Sequence, residues 1–282
     1  MRLLAAVLLA AGLASSAAPA EKKLAIIRGQ FAQSEDGPPV PSDYQFLPGE
    51  AVYFSCLTEG YKKVQKDDKM QVYLTYQVEV QDSRGVLLQT PQDGKLLTTV
   101  SAEDKDWLPK IREMLAVPPL ADSGEYQLIV KVKDELAAAT VESRARFFVK
   151  GRDVAPSDTL VVRSFRFLRG ENDEKPLQVA AYRPGDMVWA RFDMTGYKLA
   201  EHNQFDIEYG LTVLSADGSV QYSEPQAATS KEQPFYPQRY QPGVLSLNLA
   251  KDQPLGEYTI VLTVRDNLGQ QSYETRQKFS VE

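Results

Sequence analysis

Tyr73-Leu74-Thr75-Tyr76-Gln77-Val78-Glu79-Val80-Gln81 alternates tyrosine or valine with glutamine, glutamate or threonine over several steps. A period of two sends successive side chains to opposite faces of an extended chain, one face apolar and the other in water, which specifies a half-buried β-strand. Tyr126-Gln127-Leu128-Ile129-Val130-Lys131-Val132-Lys133-Asp134 alternates in the same way, as do Leu245-Ser246-Leu247-Asn248-Leu249 and Tyr258-Thr259-Ile260-Val261-Leu262-Thr263-Val264-Arg265-Asp266. These runs are rich in the β-branched and aromatic residues that fit a pleated surface. Turn formers separate them at Asp82-Ser83-Arg84-Gly85, Ala216-Asp217-Gly218-Ser219 and Asn267-Leu268-Gly269. Many short strands without a strong helical run predict an all-β chain of the sandwich type. The one helix-like segment, residues 102–115, is interrupted by Pro109. A loop or a single turn is expected there, with the next strand starting at Leu115-Ala116-Val117.

The chain repeats itself. Pro48-Gly49-Glu50-Ala51-Val52 matches Pro184-Gly185-Asp186-Met187-Val188, and Gly60-Tyr61-Lys62 matches Gly196-Tyr197-Lys198. Tyr76, Val78, Val80 and Gly85 correspond to Tyr209, Leu211, Val213 and Gly218. Gly124-Glu125-Tyr126 recurs as Gly256-Glu257-Tyr258, then Val130, Val132 and Asp134 as Leu262, Val264 and Asp266, and finally Phe147 and Val149 as Phe279 and Val281. The numbering offset drifts only from 136 to 132 across the unit, so one domain-sized unit has been duplicated rather than a short solenoid repeat multiplied. The expected organisation is a first domain over residues 21–150, a short polar linker over 151–157 containing Gly151 and Pro156, and a second domain over 158–282.

Residues 1–20 are set apart. Arg2 is followed by the apolar run Leu3 to Leu13 and then by Ala18-Pro19-Ala20, the order of a cleaved secretory signal peptide. The run falls short of the roughly 20 residues that a membrane span needs, and no span is expected after cleavage. A secreted or periplasmic protein follows. Its 38 acidic residues outnumber 32 Lys and Arg, for a net charge of −6 that loss of Arg2 makes more negative. That balance argues against nucleic acid as a partner. A single cysteine, Cys56, leaves no internal disulfide, so the domains must stand on their cores.

Asp122-Ser123-Gly124-Glu125-Tyr126 resembles the D-x-G-x-Y turn of the tyrosine corner before strand F, and Val52-Tyr53-Phe54-Ser55-Cys56 resembles strand B of the same domains. On these motifs each unit is similar to the immunoglobulin-like and fibronectin-type domains of bacterial surface proteins. The resemblance implies two tandem immunoglobulin-like antiparallel β-sandwiches. It also marks departures: Leu128 stands where the second cysteine would pair with Cys56, Phe192 and Ile260 occupy the matching places in the second unit, and Gln253-Pro254-Leu255 there lacks the aspartate.

Chemistry-bearing residues are sparse. Cys56 aligns with Phe192 and is expected to be a buried core thiol. His202 is the one histidine, in the polar stretch Leu199 to Gln204, and a lone imidazole makes no metal site. Asp67-Asp68 lies among Lys62, Lys63, Lys66 and Lys69 and reads as a solvated charged loop. No phosphate loop, nucleophile elbow or zinc-protease motif is present, and no cofactor or metal is expected. The best binding candidate is Gln233 to Pro242, stiffened by Pro234, Pro237 and Pro242 and carrying Phe235, Tyr236, Arg239 and Tyr240. These aromatics either meet a partner or fold back over their own sandwich. Trp107 occupies the comparable connection of the first unit. The repeated Tyr61, Lys62, Tyr197 and Lys198 are either a duplicated contact surface or part of the scaffold.

The expected function is a non-catalytic binding or structural module of the cell envelope, an adaptor or adhesion-type protein that contacts a protein or a glycan. Two other classes remain open at this point. One is a periplasmic chaperone resembling the two-domain pilus-assembly chaperones, which would work by strand donation at a sheet edge. The other is an enzyme with an unrecognised pair of carboxylates in a loop cleft.

Overall fold

The structure, a computed structural model, describes residues 22–104 and 106–282, so the signal peptide expected over residues 1–20 lies outside the described residues. The first half contributes β1 (Ala25–Ala32), β2 (Gln45–Phe46), β3 (Ala51–Glu59), β4 (Val64–Lys66), β5 (Lys69–Gln81), β6 (Gln92–Ser101), β7 (Lys110–Ala116), β8 (Gly124–Asp134) and β9 (Ala139–Val149). The second contributes β10 (Val161–Leu168), β11 (Ala181–Tyr182), β12 (Met187–Thr195), β13 (Phe205–Ser215), β14 (Val220–Glu232), β15 (Tyr240–Asn248), β16 (Gly256–Asp266) and β17 (Gln271–Val281). A single turn of 3-10 helix, Glu201–Asn203, precedes β13.

Each half packs two sheets face to face. In the first, β1-β3-β7 faces β2-β9-β8-β5, with β6 on the outer side of β5 and β4 on its other side. In the second, β10-β12-β15 faces β11-β17-β16-β13-β14. The two topologies correspond strand for strand except that β4 has no counterpart in the second half. Both place a parallel two-residue ladder at one sheet edge, β2 on β9 and β11 on β17. Both carry a bulge at the same place in the first strand, between Ile27 and Gln30 and between Arg163 and Arg166. At each bulge a non-glycine residue is left-handed, Arg28 with φ 54° and Ser164 with φ 50°.

The alternation seen in sequence is the in-and-out of these sheets. Val52, Phe54 and Cys56 of β3 and Tyr126, Leu128, Val130 and Val132 of β8 enter one core, and Val188, Ala190, Phe192 and Met194 of β12 and Tyr258, Ile260, Leu262 and Val264 of β16 enter the other. Each such aliphatic or aromatic side chain, fully buried, contributes about 1.5–3 kcal/mol from apolar area alone. Cys56, Leu128, Phe192 and Ile260, the four positions of the missing disulfide, are all buried among these residues. The tyrosine-corner hydrogen bond forms twice. Tyr126 Oη donates to the Asp122 carbonyl at 2.9 Å, and Tyr258 Oη donates to the Pro254 carbonyl at 2.8 Å. Because the acceptor is backbone, the second corner needs no aspartate.

Residues 110–116 form a full strand, not the loop or single turn expected up to Leu115. β7 begins at Lys110, directly after Pro109, and pairs with β3 from Leu57↔Lys110 to Ala51↔Ala116. Ile111 and Leu115 point into the core, but Glu113 takes the inward position between them. A carboxylate on the apolar face broke the alternation that would have marked the strand. Burial raises the Glu113 carboxyl above the ordinary carboxylate range. In the second half the matching inward position is Leu245, fully apolar.

Burial likewise pushes the Cys56 thiol up to about 12. A thiol that stays protonated under a packed core is a poor nucleophile. The native protein will therefore resist maleimide at neutral pH and take up one equivalent only after unfolding in guanidinium. Rapid labelling of native protein, read by mass, would contradict this burial.

Candidate functional site

The repeated Gly-Tyr-Lys holds one end of each sandwich. Gly60 and Gly196 sit at φ +70° and +78°, and a Cβ at either would collide with a backbone carbonyl, of Lys23 or of Thr159. The following tyrosine latches the connection leading into β7 or β15. Tyr61 Oη donates to the Trp107 carbonyl at 2.7 Å, and Tyr197 Oη donates to the Gln238 carbonyl at 2.5 Å. Trp107 also meets the Tyr61 ring edge-on, 6.2 Å between centroids.

The lysines contribute backbone. Lys62 N–H donates to Asp134 Oδ2 at 2.6 Å, and Lys198 N–H donates to Asp266 Oδ2 at 2.8 Å, while both lysine side chains are exposed. Asp134 and Asp266 are each 1% exposed. Their second oxygens accept the N–H groups of the next hairpin, from Leu136 and Ala137 in the first half and from Leu268 and Gly269 in the second. One buried carboxylate thus ties two loops together in each half. Gly196→Ala should lose about 2 kcal/mol from its left-handed backbone and the steric clash. Thermal unfolding would read this, and an unchanged Tm would show that the turn can relax.

The proline-rich connection between β14 and β15 folds back, and it folds onto the other half. Tyr236 is 5% exposed and packs within the core cluster of the first sandwich. Its hydroxyl donates to Asp82 Oδ2 at 3.0 Å, and burial raises the phenol above its ordinary range. The other Asp82 oxygen accepts the Arg84 and Val86 N–H groups, both at 2.9 Å. Arg239 Nη1 reaches Asp122 Oδ2 at 3.3 Å, and Arg84 Nη2 reaches the same oxygen at 2.5 Å. Burial raises the Asp122 carboxyl above the ordinary carboxylate range, with the Asp82 and Asp153 charges adding to the rise and Arg84 opposing it.

Between the halves runs the segment expected as linker. Ser123 Oγ donates to the Gly151 carbonyl at 3.1 Å, and Arg152 Nη2 donates to the fully buried Asp193 at 2.6 Å while lying over the Tyr240 ring, 5.7 Å from its centroid. Burial is the main influence on Asp193 too and raises its carboxyl, with Arg152 and Arg166 opposing. A cleft of about 410 Å³ lies here, walled by Arg84, Asp122, Arg152, Pro156, Arg239 and Tyr240.

Of the sequence candidates, Tyr236, Arg239 and Tyr240 therefore converge on the junction of the two sandwiches. Phe235 beside them is 53% exposed, its carbonyl accepting from Asn203 Nδ2 at 2.6 Å. Tyr197 and the backbone of Lys198 brace the same end of the second half. Tyr61, Lys62 and Trp107 brace the corresponding end of the first half, away from the junction. His202 is exposed with φ 55°, and Asp67-Asp68 forms the exposed turn joining β4 to β5. Among the described residues no group of three or more His, Cys, Asp or Glu side chains is placed to hold a metal. No helix there is long and apolar enough to cross a membrane.

Sequence reasoning missed the residues that receive Tyr236 and Arg239. Asp82 and Arg84 read as an ordinary turn, Asp122 as part of a corner motif and Arg152 as linker polarity. One signal was available: the aspartate of the corner is present in the first unit and absent from the second. The corner itself uses only a carbonyl, and the Asp122 carboxylate meets Arg84 and Arg239 instead.

No protein-family model and no curated protein sequence matches the chain. Solved structures similar to it include the C-terminal domain of the antigen I/II-family protein AspA of Streptococcus pyogenes, with 10% identity, 91% of this chain and 99% of that one covered, and a TM-score of 0.29. The C-terminal domain of the Streptococcus agalactiae AgI/II polypeptide BspA is matched at 10% identity, over 90% of this chain and 99% of that one, with a TM-score of 0.28. A family 123 glycoside hydrolase from Clostridium perfringens is matched at 12% identity over 44% of this chain and 27% of that one, with a TM-score of 0.31. Superpositions this loose carry no argument about ancestry or activity, and the fold assignment rests on the strands, registers and cores of this chain.

Proposed function

We propose that this is an exported, non-catalytic binding protein built as two immunoglobulin-type domains, residues 21–150 and 158–282, joined into one rigid unit. It acts in the cell envelope as an adaptor or adhesion-type module toward a protein or glycan. The observation that carries this reading is the insertion of Tyr236 into the core of the first sandwich, backed by the Arg239–Asp122 and Arg152–Asp193 pairs. A tyrosine and two arginines spent in this way fix the spacing and orientation of two sheet-and-loop surfaces, which suits an adaptor that must hold contacts at a set distance. The placement of the reactive groups is in keeping with it: a buried thiol, a solitary exposed imidazole, and buried carboxylates that each hold arginines or backbone N–H groups.

Proximity labelling with the full chain in its native cell tests the reading. Expected are labelled envelope components and a mature chain beginning at Glu21. Labelling confined to cytoplasmic proteins, or turnover of a substrate by the purified protein, would overturn it.

A further inference from the structure

We propose that the outer face of the β1-β3-β7 sheet carries a binding cleft for a neutral saccharide ring. The proposal rests on the non-catalytic binding function proposed above and names its ligand class. The cleft measures about 350 Å³ and lies on the open side of the sheet, beneath the chain that follows β1. Its floor is Ala32, Tyr53 and Met114, consecutive across the three strands in the pairs Ala32↔Tyr53 and Tyr53↔Met114. Met114 is 55% exposed and offers a large apolar side chain on the solvent face. The rim is polar, with Gln30 on one side and Asp36 and Arg112 on the other.

Asp36 is held in place by Lys110 Nζ at 2.6 Å and Arg112 Nε at 3.3 Å. The Arg112 guanidinium on the rim is thus pre-positioned by Asp36, whose charge Lys110 and Arg112 offset, while Glu35 and Glu113, which also line the cleft, have no ion-pair partner among the described residues. An apolar floor with an aromatic ring and a fixed polar rim matches a ligand with a C–H face and a hydroxyl edge. The excess of carboxylates over cations in the lining disfavours an anionic ligand.

The second half supplies an internal comparison. Arg191 on β12 stands where the first half has Ser55, and its guanidinium donates to the Glu171 carbonyl in the loop after β10. A long side chain crosses the corresponding face there, whereas the small Ser55 leaves the cleft of the first half open.

Saturation-transfer NMR on the full mature protein tests the proposal. The probes are the methyl glycosides of glucose, galactose, mannose and N-acetylglucosamine, with glucuronate and N-acetylneuraminate as anionic controls. Expected is transfer to at least one neutral glycoside and none to the anions. Ser55→Arg, which copies the plug of the second half, should weaken binding at least about tenfold with an unchanged Tm, and Tyr53→Ala should weaken it several-fold. Absence of transfer to every neutral glycoside, stronger transfer to the anions, or equal transfer in Ser55→Arg would overturn the assignment. The same samples assayed with p-nitrophenyl glycosides separate the two readings. Release of nitrophenol would sink the non-catalytic function, whereas lost transfer without turnover would sink the cleft alone.

Discussion

Tyr236→Ala is expected to destabilise the first sandwich by about 3–5 kcal/mol, the range for emptying a buried aromatic position, although residue 236 belongs to the chain of the second. The side chain fills space beside Tyr126 and satisfies Asp82, so its removal leaves both a cavity and a buried carboxylate short of a donor. Hydrogen exchange should rise in β5 and β8 while β13 and β16 stay protected, and thermal unfolding should separate into two steps with the first half melting earlier. Tyr236→Phe keeps the packing and drops the hydrogen bond to a carboxylate, for a loss of about 1–3 kcal/mol. Phe235→Ala, one residue away but exposed, should stay within about 0.5 kcal/mol of the parent. Equal effects at 235 and 236 would mean that the junction is not packed as described.

The second large effect is expected at the buried aspartates. Asp134→Ala removes the acceptor of three backbone N–H groups, those of Lys62, Leu136 and Ala137, and Asp266→Ala removes that of Lys198, Leu268 and Gly269. Hydrogen bonds to a charged group are worth about 1.5–3 kcal/mol each, and the three are not additive. A loss of about 3 kcal/mol or more is expected in either half, which moves Tm by roughly 10 °C or more for a unit of this size. Asparagine keeps part of the acceptor set and should lose distinctly less. Urea unfolding of the alanine and asparagine pair reads this directly, and a midpoint unchanged by alanine would show that water replaces the carboxylate.

What was legible in the sequence had a period. The strands around Tyr76, Tyr126 and Tyr258 announced themselves because one face is buried and the other wet, and the duplication followed because the same core slots recur. β14 did not announce itself, since nearly all of it is exposed and no apolar face marks it. β7 was hidden by the inward Glu113. The junction was illegible for a different reason. It joins Asp82, Asp122, Arg152, Asp193, Tyr236 and Arg239, drawn from five separate segments whose local patterns each have an ordinary explanation as a turn, a corner, a linker, a strand or a loop. Their common role exists only after the second sandwich has docked on the first.

The partners of that junction, Asp82 and Tyr236, stand 154 residues apart in the chain. A polypeptide that emerges from its amino end first can form all of β1 to β9 well before residue 236 exists. The amino-terminal sandwich must therefore collapse around a vacancy and wait. Loop-closure entropy makes the final seating late and slow relative to strand pairing within each half. Refolding should show a fast phase in which both sheet systems form and a later one in which the gap closes, and during that interval the young sandwich exposes an apolar socket to whatever else is nearby.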